Sequence, residues 1–185
     1  MHASSDDLDL LSDLSVDQAE NLVKYSKGPL WLYNLCELSP DVAEALSKHE
    51  GDIYFLSLSS ISDASAESIR KHKGHLKLSA LTSLSEAAAL ALGKHHGHLD
   101  LSGLTILSEA VAVALGNHHG YLDLSGLTNI SEMIAKALSN NRGDLELSGL
   151  TNLSDAAAES LSKHKGSLFL SDVARATLRK HKGKL

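Results

Sequence analysis

Apolar and polar positions along this chain follow a cycle that restarts every 23 residues. Each cycle opens on an L-x-L segment: Leu76-Lys77-Leu78, Leu99-Asp100-Leu101, Leu122-Asp123-Leu124. Its period of two sends the leucines to one side and the residue between them to the other, as in a short strand. Further on, Leu84, Ala88, Ala89 and Leu92 stand at i, i+4, i+5 and i+8, and Leu107, Val111, Ala112 and Leu115 repeat that spacing. This is one face of a helix of about 10 residues. A serine before an acidic residue marks each start: Ser62-Asp63, Ser85-Glu86, Ser108-Glu109, Ser131-Glu132 and Ser154-Asp155. The hydroxyl caps free amides and the acid meets the positive end of the helix dipole. Ser39-Pro40 fits the same place, with proline at the first helical position. The helices close on Lys-His-x-Gly or a near variant, which supplies cations at the negative end and a glycine suited to a left-handed cap.

That glycine sets the register: Gly28, Gly51, Gly74, Gly97, Gly120, Gly143 and Gly166. A strand–turn–helix unit this small cannot bury its own leucines, so units must stack, strands in a parallel sheet and helices behind it. Ala43, Ala66, Ala89, Ala112, Ala135 and Ala158 share one helix position, where a small side chain lets helix and sheet approach closely. The predicted architecture is α/β: a right-handed solenoid of about eight coils, with the sheet on one face and short helices on the other. It forms one repeat domain over 1–185, divided into an atypical N-terminal capping repeat at 6–27, six full repeats over 28–165 and a truncated C-terminal capping repeat at 166–185.

With its units aligned, the chain resembles leucine-rich repeat proteins, specifically bacterial short-period variants built on LxLSGLTxLSxxAAxxL, over nearly its whole length. One departure concerns the asparagine expected three residues after the second strand leucine. Here Leu81, Leu104, Leu127 and Leu150 stand there, followed by Thr82, Thr105, Thr128 and Thr151, and the threonines would take over the backbone-bonding role. The resemblance implies a protein-binding scaffold that uses its strand face.

The ends differ from the middle. In the first unit, from about Asp6, Gln18 fills a helix position held by Val42, Ala88 or Ile134 elsewhere. The last unit, SLFLSDVARATLRKHKG, lacks the GLTNLS segment and carries Arg175 in the alanine column. Both read as solvent-facing caps, the expectation for a complete short solenoid, with a piece of a longer array whose next strand begins at Lys184-Leu185 as the alternative.

Charge and cysteine content narrow the function classes. A formal net charge of −6 and a pI near 6.0 argue against a nucleic-acid binder, which needs a basic stripe. Cys36 is the only cysteine, so no disulfide framework or four-cysteine zinc site is expected, and a cytoplasmic location suits the chain. Nothing approaches the roughly 20 apolar residues of a membrane span, and the N-terminus has no signal-like pattern.

Candidate chemistry lies in the columns that vary. The residue between the strand leucines runs Asp9, Trp31, Tyr54, Lys77, Asp100, Asp123, Glu146 and Phe169, flanked by Tyr33, Asp52, His75, His98, Tyr121 and Asp144. The chain has seven aromatic residues, and five are in this set. Aromatic anchors beside charge are typical of interface hot spots. The partner-binding set is Trp31, Tyr33, Tyr54, Lys77, Asp100, Tyr121, Asp123, Asp144, Glu146 and Phe169, suited to a protein or peptide with a basic patch and an apolar anchor. Against this, aromatics favour strands for their own sake and acids suit a solvated face.

His49, His72, His95, His118, His164 and His181 form a second column beside the glycines. His75, His96, His98 and His119 thicken its middle, and neighbouring coils would bring the rings within about 5 Å. Metal binding through His72, His75, His95, His96, His98, His118 and His119 is the weaker alternative; a structural role, bonding to helix carbonyls or the next coil, is favoured because a specific site needs no six copies. On the outer helix face, Glu44-Lys48, Glu67-Lys71 and Glu159-Lys163 stand at i, i+4. In the middle, Leu90, Val113 and Met133 form an apolar strip through which copies would self-assemble, the competing class of function. No catalytic elbow, phosphate loop or dinucleotide fingerprint is present, no cofactor is implied, and Cys36 reads as a buried small residue in the threonine column. The expected activity is non-catalytic binding.

Overall fold

The structure, a computed structural model, describes residues 12–182. Within them eight helices alternate with seven strands. The order is α1 (Val16–Tyr25), β1 (Leu30–Leu32), α2 (Pro40–Leu46), β2 (Ile53–Phe55), α3 (Asp63–Ile69), β3 (Leu76–Lys77), α4 (Glu86–Leu92), β4 (Leu99–Asp100), α5 (Glu109–Leu115), β5 (Leu122–Asp123), α6 (Glu132–Leu138), β6 (Leu145–Leu147), α7 (Asp155–Leu161), β7 (Leu168–Leu170) and α8 (Asp172–Lys182). The strands form one parallel sheet in chain order, β1 to β7. Pairing is strictly between equivalent positions, Leu30 with Ile53, Leu76 with Leu99, Leu145 with Leu168. The architecture is therefore the repeating α/β solenoid that the periodicity predicts, with an open sheet.

The leucine and alanine columns supply the core. Leu76, Leu78, Leu81, Leu99, Leu101 and Leu104 are buried, as are Ala43, Ala66, Ala89, Ala112, Ala135 and Ala158. Each serine cap accepts from the amide three residues on, as Ser39 does from Val42 and Ser108 from Val111. Gln18 breaks the hydrophobic pattern for a local reason: its side chain accepts from the Ser15 amide at 2.8 Å while its own amide donates to Ser15 Oγ, closing a capping box. At the other end Arg175 does occupy the alanine column. Its backbone N–H reaches Ser171 O, the bond that Ala43 makes to Ser39 O, and its guanidinium donates to Leu170 O at 3.0 Å.

Three details depart from the sequence expectation. First, helices α2 to α7 have seven residues each rather than ten. The chain then tightens to i→i−3 bonds, Lys94 N–H to Ala91 O and His95 N–H to Leu92 O, and the same pair recurs at Asn117 and His118. Second, two of the expected ion pairs, Glu44–Lys48 and Glu67–Lys71, do not form. Glu44 pairs instead with Lys71 of the following coil at 2.6 Å, and Glu67 with Arg70; only Glu159–Lys163 keeps its i, i+4 form, at 4.0 Å.

Third, no glycine among the described residues has positive φ, so the repeat glycine is not a left-handed cap. It is required by close approach between coils. A Cβ on Gly51 would lie 2.6 Å from Gly28 O and 2.8 Å from His49 Nε2, and one on Gly74 would lie 2.7 Å from both Gly51 O and His72 Nε2. Glycine and histidine are thus one packing unit, which is why they recur together.

Candidate functional site

The strand residues that point away from the leucines make a continuous face along the sheet. At its N-terminal end Trp31, on β1, stacks on Tyr54, on β2, at 4.1 Å between ring centroids and 14° between planes. Strand register places them opposite each other. Tyr33 continues the stack at 6.1 Å from Trp31. Trp31 is 46% exposed and Tyr33 is similarly open, while Tyr54 is half-buried, and the three stacked rings form one ridge on this face. The two aromatics outside the face behave differently: Phe55 is fully buried, and Tyr25 lies on α1 beneath Lys24.

Toward the centre the ridge gives way to charge. Lys77 and Asp100, opposite each other on β3 and β4, pair at 3.3 Å. Asp100 also accepts from the amide and hydroxyl of Ser102, Asp123 accepts from the Ser125 amide at 2.8 Å, and Glu146 accepts from the Ser148 amide at 3.1 Å. The acids therefore hold the turn that leaves each strand as well as charging the face. Asp52 and Asp144 act one coil further, accepting from the amides of His75 and Ser167 at 2.9 and 2.8 Å. Burial works to raise the Asp52 carboxyl, but the His75 amide and ring and the Tyr54 hydroxyl together hold it below the usual carboxylate range. Asp144 is also lowered, chiefly by the Ser167 amide.

Tyr121 leads back to aromatic character. Its hydroxyl donates to Glu146 Oε2 at 3.2 Å, and its ring lies 6.2 Å from Phe169 and 5.3 Å from His98. Burial first, then the Glu146 and Asp123 carboxylates, push the phenol up. The predicted set thus falls into two groups joined by the Lys77–Asp100 pair: Trp31, Tyr33 and Tyr54, then Asp123, Tyr121, Asp144, Glu146 and Phe169. Asp9 lies outside the described residues.

The histidines divide by burial. His49, His72, His95, His118 and His164 are buried, and His75, His96, His98 and His119 are exposed; the side chain of His181 lies outside the described residues. The buried rings are stacked in near-parallel planes at 6.5, 6.3 and 6.3 Å from His49 to His118. This exceeds the expected strand spacing of about 5 Å because packed helices need about 8–10 Å, and the column runs between the two layers. His49 Nε2 meets Gly28 O at 2.8 Å, His95 Nδ1 meets Arg70 O at 3.3 Å and His164 Nδ1 meets Ser139 O at 3.4 Å, so the column reaches back to the preceding coil. On the exposed side His75 and His98 stack at 3.8 Å, with Asp52 at 3.7 Å from His75 Nδ1. Among the described residues no three His, Cys, Asp or Glu side chains are grouped to hold a metal ion, since parallel stacked rings do not aim their lone pairs at one point.

Cys36 is exposed, which corrects its reading as a buried residue. The threonine column lies on the surface, with Thr82, Thr105, Thr128 and Thr151 all exposed, and Cys36 shares its position. Thr151 does bond across coils, its amide and hydroxyl both donating to Thr128 O at 2.9 and 3.1 Å, and Thr82 reaches Ser59 O in the same way. On the outer helix face Leu90, Val113 and Met133 are exposed, Val113 by 59%. Ile106 is 82% exposed and lies before α5, outside its apolar period, so the sequence pattern does not single it out. Asn141 takes the histidine place in its coil and is fully buried. Its signal was available, as the one exception to histidine in that place among the six full repeats.

No protein-family model matches the chain, and no curated protein matches it. No helix among the described residues is long and apolar enough to cross a membrane.

Proposed function

We propose that this chain is a non-catalytic scaffold of the leucine-rich-repeat type that binds a protein or peptide across its strand face. The observation that carries the reading is the stack of exposed Trp31 on half-buried Tyr54, with exposed Tyr33 beside it. Ordered aromatic rings present large apolar area at low entropic cost, which is what a binding anchor requires. The carboxylates of Asp123, Asp144 and Glu146 further along the same face favour a partner that carries basic residues. A shallow open face of this kind offers little to exclude water, which speaks for binding rather than catalysis.

Selection of displayed peptides on the immobilised chain tests this. The enriched peptides should combine lysine or arginine with an apolar residue, and their affinity should fall at least about tenfold in a Trp31→Ala, Tyr54→Ala double variant. A Leu90→Ser, Val113→Ser variant should bind them unchanged. Equal binding by the aromatic double variant defeats the assignment. The second reading is self-assembly through the outer helix face, favoured by the equivalent, exposed positions of Leu90 and Val113 on α4 and α5. Light scattering at two concentrations separates the two, because only self-assembly makes the apparent mass rise with concentration.

A further inference from the structure

The buried histidine column does something the binding face does not use. His72 is 2% exposed and His118 fully buried, and neither ring nitrogen of either residue has a well-formed hydrogen bond. Each ring lies against the glycine two residues on; His72 stands between the rings of His49 and His95, and His118 stacks on His95 with Asn141 in the next coil. A neutral imidazole fits such a place; a cation there would be desolvated, and its ring neighbours are themselves titratable. The same column contains a natural control, because Asn141 stands in it with no group that can gain a charge.

We infer that the stacked column His72–His95–His118 is an acid-sensitive clasp between the middle coils, which opens them from one another while the coil of Asn141 stays closed. The surrounding charges favour this. Burial is the main force that keeps His72 and His118 neutral, down to about 4 in each, and the His95 ring opposes a cation on both. His49 adds to the opposition at His72 and His119 at His118, while the Ser47 backbone and Asp52 work the other way at His72 and the Tyr121 and Gly97 backbone at His118. His95 is lowered by burial first and then by His96 and His75, against the pull of the Arg70 and Gly74 carbonyls. Protonating one ring thus makes the next harder to protonate while the stack is closed, and separating the coils relieves all of these penalties together. Solenoid coils contact only their neighbours, so a local opening of this kind does not require the whole chain to unfold.

Amide hydrogen exchange on the full chain, stepped from about pH 7.5 to about pH 4.5 and corrected for intrinsic rates, tests the clasp. The amides of Leu76 and Leu99, which bond across the His72–His95 and His95–His118 coils, should lose protection by at least about tenfold more than that of Leu145. His72→Asn and His118→Asn, each copying the residue at Asn141, should flatten this pH dependence. A uniform loss along all the coils overturns the inference. Ring titration followed by NMR on the unmodified chain provides a decision even if the variants fail to fold: His72 and His118 should stay neutral while their coils remain protected, and titration near the ordinary value of about 6.5 in a closed coil overturns it.

Discussion

Two ladders of rings run along this molecule, one inside and one outside, and they are spaced oppositely to what burial alone suggests. The buried histidines are 6.3 to 6.5 Å apart, whereas the surface pairs Trp31–Tyr54 and His75–His98 close to 4.1 and 3.8 Å. Position between the layers explains it. The surface rings rise from or beside strands about 4.8 Å apart and lean together to hide their faces from water. The buried rings sit where the coils have begun to splay toward the helices, and glycines and carbonyls fix them there. The lesson is that residue type does not assign a role in a repeat protein. A histidine on the inner ladder is a packing element, whereas one placed just after the repeat glycine, as His75 and His98 are, belongs to an open face.

Acid should separate the two ladders most sharply. His72 and His118 have folded values depressed to about 4 from an unfolded value near 6.5, so their contribution to stability is complete above the unfolded value. It is lost as pH falls through the window from about 6.5 to about 4, by about 3 kcal/mol for each ring at the low end. Denaturant melts at stepped pH will show the loss, and a flat profile across that window disproves the buried neutral state. Next in size, Leu104→Ala removes a fully buried side chain and should cost about 2–5 kcal/mol by chemical denaturation.

Gly74→Ala should cost about 1–3 kcal/mol, since its Cβ would meet the Gly51 carbonyl and the His72 ring at 2.7 Å. Gly28→Ala, where nothing lies within 4 Å, should be neutral or stabilise by up to about 1 kcal/mol. Equal effects at these two glycines would contradict the coil-packing account of the repeat. The outer ladder should matter least for stability: Trp31→Ala is expected to shift the unfolding free energy by less than about 1 kcal/mol while removing the binding anchor. A melt matched to wild type together with lost peptide binding is the result that keeps face and scaffold distinct.

Much of this was written in the chain order of apolar residues. Apolar pairs marked every strand from β1 to β7, leucines in all but β2 where Ile53 and Phe55 stand, the serines marked the helix starts, and the one-to-one register followed from the constant period. The candidate face was legible as a set, because alternation within Leu-x-Leu leaves its middle residue outside. Its internal bonds were not. That Asp123 caps the turn at Ser125, or that Asp52 accepts from the next coil at His75, depends on side-chain direction that spacing does not encode. The seven-residue helix length was also hidden, since the i→i−3 turn after Ala91 keeps the same apolar spacing for a further residue.

By itself the sequence determined that the chain is a stack of one small unit, because a period that recurs in leucine, serine, alanine and glycine together admits a single way to bury the leucines. It also determined which columns are free to vary. Only the tertiary structure decided what the fixed glycine and histidine are for. Their meaning is a distance between coils 23 residues apart, the gap between Gly51 and Gly28 O into which no Cβ fits and against which His49 lies. A contact between successive turns of a solenoid exists only once the turns are stacked, so the pattern could announce that the pair mattered without saying that it matters as packing.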